Sequence, residues 1–119
     1  MRLIRTMLHG FVDYVVGFVV IGLPFFLGLN DTPRLVLIVL GLSVILYSLL
    51  TDYELGAVRL LRIRFHLVLD ALFGAAMLVS PWLFSFPINN RWPVYIIGVL
   101  ALILAATTQI RAEGTAATN

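Results

Sequence analysis

At 119 residues the chain has room for one domain, and its 61% apolar and 12% charged content departs far from the soluble norm of about 45–50% and about 25%. Long apolar runs place it in the membrane class. A net charge of +2 carried by scattered Arg residues offers no basic face for nucleic acid, and the absence of Cys excludes disulfides, Cys-ligated zinc and thiol chemistry.

The first apolar run, Leu8–Leu29, follows Arg2 and Arg5 as a signal peptide would. It is too long for a signal h-region, carries Asp13 and has no small-x-small cleavage site, so a retained first helix is the reading. Arg5, His9, Asp13 and Gly17 recur every four residues and share one helix face. Pro24 kinks or ends that helix near the far side.

Asn30-Asp31-Thr32-Pro33 reads as a tight turn into a second span, Leu35–Leu50. Near sixteen residues, this span is short against the roughly 20 that cross a ~30 Å hydrocarbon core. The next connection, Thr51 to Phe65, mixes Asp52, Glu54, Arg59, Arg62 and Arg64 with Leu55, Val58, Leu60 and Leu61, the pattern of a segment lying along the interface. A third span, His66–Phe86, repeats the stripe as Arg62, His66, Asp70 and Gly74, followed by Pro81. Pro87-Ile88-Asn89-Asn90 is a second turn, and Trp92–Thr107 is a fourth, short span. The tail 112–119 is small and polar and reads as flexible. The domain map is one membrane domain, 1–111, with repeat 1 at about 2–51, an interfacial linker at 52–58 and repeat 2 at about 59–108.

Adding 57 to a position in the first half gives its partner without a gap: His9 to His66, Asp13 to Asp70, Gly17 to Gly74, Pro24 to Pro81, Arg34 to Arg91, Gly41 to Gly98, Thr51 to Thr108. Chance apolar similarity does not place Arg, His, Asp and Pro in register, so the chain is an internal duplication. With two spans per copy the repeats insert in the same orientation, related by a pseudo-two-fold axis along the membrane normal. The predicted fold is all-α, a four-transmembrane-helix bundle of two parallel-orientation two-helix repeats. Its stripes on the first and third helices face each other, with Gly17 and Gly74 letting those two backbones approach. Arg2, Arg5, Arg59, Arg62, Arg64 and Arg111 fall on one side and Arg34 and Arg91 on the other, which puts both termini in the cytoplasm. Trp82, Trp92, Phe25, Phe26, Phe84 and Phe86 then gather at the outer interface, and Tyr47 and Tyr53 mark the inner one.

Ser80-Pro81-Trp82, in a duplicated four-span chain, resembles the SPW repeat family of small bacterial integral membrane proteins. Leu23-Pro24-Phe25 keeps only the proline, while Thr51-Asp52-Tyr53-Glu54-Leu55-Gly56 is similar to the family's inter-repeat segment. The resemblance implies two membrane helices per repeat, a bacterial inner-membrane location and no particular biochemical activity.

The candidate site is the intramembrane polar cluster His9, Asp13, His66 and Asp70, supported by Arg5, Arg62, Gly17 and Gly74. An Asp at the centre of a membrane helix costs on the order of 2.5–3.5 kcal/mol, so each needs a partner. Each His bonding the facing Asp makes a structural knot that fixes helix register. The same groups also suit a proton or cation pathway, since burial and pairing act on carboxylate and imidazole in opposite senses. Metal or haem binding through His9 and His66 is a lesser alternative, although the spacing is not a diagnostic metal motif. Arg5 and Arg62 read most simply as snorkelling. Pro81 with Ser80 reads either as a bend that tilts aromatics into the interface or as the capped start of a short new helix. No nucleophile–base–orienter set and no phosphate-binding loop is present, so an enzyme is not expected. No cofactor is expected either. The partners expected are the lipid bilayer and either further copies of the chain or a larger membrane complex, with no nucleic acid.

Overall fold

The computed structural model describes residues 6–51 and 63–108. The readings on Arg2, Arg5, the linker 52–58, Arg59, Arg62, Arg111 and the tail 112–119 lie outside the described residues.

Four helices follow in chain order: α1 (Thr6–Phe26), α2 (Asp31–Leu49), α3 (Ile63–Leu83) and α4 (Trp92–Thr107). All four are long and apolar enough to cross a membrane, α4 together with the 3-10 turn Ile88–Asn90 that precedes it. Lipid offers the backbone no hydrogen-bonding partner, so a spanning segment must satisfy its own N–H and C=O groups, and helices do so. The second span is longer than its apolar run suggests. Asp31, Thr32 and Pro33, read as turn residues, form the first turn of α2, where Asp31 adds a favourable negative charge and Pro33 forfeits no hydrogen bond.

The far ends of α1 and α3 close in the same way. Gly28 (φ +69°) lets Leu29 N–H donate to Pro24 C=O at 2.7 Å, and Ser85 (φ +53°) lets Phe86 N–H donate to Pro81 C=O at 2.9 Å. These are Schellman-type closures with the proline at the accepting position. Arg34 Nε then donates to Leu29 C=O at 3.2 Å and Arg91 Nε to Phe86 C=O at 2.8 Å, tying down the turn that follows each helix. Both prolines therefore sit two residues before their helix ends rather than at a break. Ser80 does not cap a new helix: its hydroxyl donates back to Ala76 C=O at 2.5 Å, and α3 runs on to Leu83.

Helix α1 packs on α2 and α3 on α4, with α2 also meeting α3. The glycines serve the hairpins, which corrects their expected role between α1 and α3. A Cβ on Gly41 would lie 2.7 Å from Gly17 C=O, and one on Gly98 would lie 2.9 Å from Gly74 C=O. Gly17 thus faces Gly41, and Gly74 faces Gly98, within each repeat. The apolar core comes from equivalent positions: Val20 and Met77, Leu29 and Phe86, Leu37 and Val94 are all buried. The larger Met77 and Phe86 offset the smaller Val94, so the pseudo-symmetric space stays filled. Phe86, grouped by sequence with the interfacial aromatics, is a core residue, whereas Trp82, Trp92, Phe25 and Phe26 are exposed.

The outer surface is apolar along its length, with Phe11, Phe18, Leu35 and Leu72 all more than half exposed. Outward hydroxyls are internally satisfied: Ser43 donates to Val39 C=O and Thr107 to Ile103 C=O, both at 2.7 Å. A surface of this kind suits acyl chains and identifies a multi-pass membrane protein.

Candidate intramembrane His–Asp site

His9 is the fourth residue of α1 and Asp13 the eighth; His66 and Asp70 hold the same places in α3. A four-residue step advances about one helical turn, so each pair projects from one face, and the two hairpins point the same way. The faces meet on the axis between the repeats, and all four side chains are buried.

The pairing is crossed. His66 Nε2 lies 2.6 Å from Asp13 Oδ2, and His9 Nε2 hydrogen-bonds Asp70 Oδ2. The contacts along each helix are longer, 3.1 Å for His9 with Asp13 and 3.3 Å for His66 with Asp70. The other ring nitrogens also cross: His9 Nδ1 meets Thr108 Oγ1 at 2.5 Å, and His66 Nδ1 meets Thr51 Oγ1 at 2.7 Å. Each imidazole is therefore held by an Asp and a Thr of the other repeat.

One tautomer lets each threonine satisfy both of its contacts at once. Thr51 donates its hydroxyl hydrogen to Tyr47 C=O, and Thr108 donates its own to Leu104 C=O, both at 2.6 Å. A hydroxyl has one hydrogen, so toward the rings each can only accept, and both Nδ1 atoms carry N–H. Both Nε2 atoms consequently face the carboxylates. The two rings stand edge to face with centroids 5.6 Å apart.

The symmetry breaks at Tyr47 and Ser48. Tyr47 donates its hydroxyl to Asp70 Oδ1 and stands edge-on to His66, with centroids 5.0 Å apart. The equivalent position in the second repeat is Leu104. A leucine has nothing to donate, and Asp13 instead borders a crevice of about 250 Å³ lined by Val12, Val16, Phe73, Ala101 and Leu104. Ser48, one turn before Thr51, is fully buried with no hydrogen-bond partner among the described residues; its counterpart is Ala105.

Sequence reasoning picked out His9, Asp13, His66 and Asp70, and the structure brings these four together. Register alone does not place Thr51 and Thr108 in the site. By sequence Tyr47 marks the inner interface. Its signal was present in its i, i+4 spacing to Thr51. Gly17 and Gly74 support the site only by setting hairpin geometry. Ser80 and Pro81 are buried at the opposite end of α3, away from the cluster, and Trp82 beside them is 72% exposed.

The family model described as SPW repeat domain matches residues 6–108. No curated protein and no solved structure matches the chain.

Proposed function

From the membership of this chain in the SPW repeat family, shown by a match that spans both repeats, we propose that it is a non-enzymatic membrane protein whose two hairpins are locked into one unit by the His–Asp cluster. It acts through helix contacts, as a homo-oligomer or as an accessory subunit of a larger membrane complex. The observation that carries this reading is the crossing itself, since every ring nitrogen of His9 and His66 bonds a residue of the other repeat. Buried polar groups that satisfy one another between helices hold membrane bundles together, and each such bond contributes about 0.6 to 2 kcal/mol. In this reading the Arg-rich side and both termini face the cytoplasm of a bacterial inner membrane.

The test compares wild type with Asp13→Asn and Asp70→Asn. A lock predicts that both variants unfold at lower temperature in mild detergent and that wild-type proteoliposomes show no pH-dependent cation flux. Flux in wild type that disappears in the variants would overturn it. The crevice beside Asp13 favours a second reading, a proton or cation pathway entering between α1 and α4, and that same flux result would support it.

A further inference from the structure

We propose that His9, Asp13, His66 and Asp70 are the ligands of one divalent transition-metal ion of the zinc class, bound through the two Nε2 and two Oδ2 atoms. The site goes beyond the locking role and stands whether or not the protein assembles with others.

Each residue offers one ligating atom, and the four atoms lie within 4.8 Å of one another. Nitrogen and oxygen alternate around the group, because each Nε2 lies close to both Oδ2 atoms. A tetrahedral ion with bonds of about 2.0–2.2 Å takes four such atoms around a common centre, and the crossed pairs, 2.6 Å apart at His66 and Asp13, separate to admit it. The surroundings are already those of ligands. Both rings have their Nδ1–H committed to a threonine oxygen, which leaves the Nε2 lone pairs aimed inward. Tyr47 holds the outer oxygen of Asp70, leaving Oδ2 for the centre. Alternating imidazole nitrogen and carboxylate oxygen, with no sulfur, selects a borderline divalent ion over Cu(I), and the four-ligand tetrahedral set disfavours Mg²⁺ and Ca²⁺. The two carboxylates fill the space between the Nε2 atoms, so a porphyrin has no place there.

The charge balance closes. Without metal, one proton must sit in each Nε2–carboxylate contact, because two lone pairs cannot face each other. Two carboxylates, two Nδ1-protonated imidazoles and those two protons sum to zero. A divalent ion that enters as the two protons leave also gives zero, so the exchange puts no net charge into a low-dielectric bundle.

The experiment uses the full chain in mild detergent. Protein purified without chelator and analysed for metals is expected to carry about one ion per chain. After chelation, Co²⁺ is expected to bring up the intense visible bands of a tetrahedral nitrogen–oxygen site, and Zn²⁺ to abolish them. Low concentrations of Zn²⁺ are expected to raise the unfolding temperature of the chelated protein, and equal Mg²⁺ to leave it unchanged. Asp13→Asn removes a ligand and is expected to abolish stoichiometric binding. In case that variant does not fold, Thr51→Val and Thr108→Val keep all four ligands and are expected to weaken Co²⁺ binding by about 10- to 100-fold. Folded wild-type protein that carries no metal and gives no Co²⁺ spectrum overturns the site, as does equal stabilisation by Mg²⁺. Neither result bears on the flux measurement that tests the lock.

Discussion

Ser85 holds the left-handed position that closes α3, where Gly28 stands in the first repeat. A side chain in that region costs about 1–2 kcal/mol, because Cβ crowds the following carbonyl, and glycine escapes it. Ser85→Gly is therefore expected to stabilise the protein by about 1 kcal/mol, and Gly28→Ala to destabilise it by a similar amount. Thermal unfolding in one detergent checks both, and a loss of stability in Ser85→Gly contradicts the closure described. Tyr47 poses the opposite case. Its hydroxyl is bonded to a carboxylate that is itself buried, and Tyr47→Phe keeps the ring while removing that donor. Leaving a buried acceptor unpaired costs about 1–3 kcal/mol, so the unfolding temperature is expected to fall without loss of helix content by circular dichroism.

Within each hairpin, stability depends on two glycines whose backbones touch. A Cβ on Gly41 meets Gly17 C=O and Ile21 Cγ1 at 2.7 Å and Ile21 N at 3.0 Å, so two of its three neighbours are backbone atoms that move only if the helices part. Gly41→Ala is expected to destabilise by about 1–3 kcal/mol, as overpacking does. Gly22 is the control on the same helix pair: a Cβ there meets nothing within 4 Å, and Gly22→Ala is expected to be neutral or stabilising by up to about 1 kcal/mol. Equal effects of the two changes would mean that the hairpin is not packed through Gly17 and Gly41. The same pair shows how far the sequence could be read. Spacing placed Gly17 on a helix face and in register with Gly74, but a face has several candidate neighbours. Gly41 was equally visible, and only the antiparallel packing of α1 on α2 selects it. Phe86 was misplaced for a related reason: beside Trp82 and Phe84 it reads as interfacial, yet the left-handed turn at Ser85 carries it back into the core.

Across the whole molecule, the fold was legible because two independent signals agree, continuous apolar spans and an ungapped repeat that keeps ionisable residues in step. The cluster was legible for the same reason, since duplication places equivalent side chains around one axis. Tyr47 was not, because repeat matching notices only what recurs, and Leu104 does not resemble it. That mismatch gives a test of the pseudo-symmetry itself. If the two repeats are equivalent around the axis, a tyrosine at position 104 reaches Asp13 as Tyr47 reaches Asp70, and the crevice of about 250 Å³ beside Asp13 has room for the larger ring. Tyr47→Leu alone is expected to lower stability, since it leaves an unpaired acceptor and a cavity together. Adding Leu104→Tyr is expected to recover at least half of that loss. In a double-mutant cycle this appears as a favourable coupling between two positions that hold equivalent places in different repeats. No recovery would mean that the axis relates the backbones alone, and that the first and second repeats have diverged into distinct halves of the site.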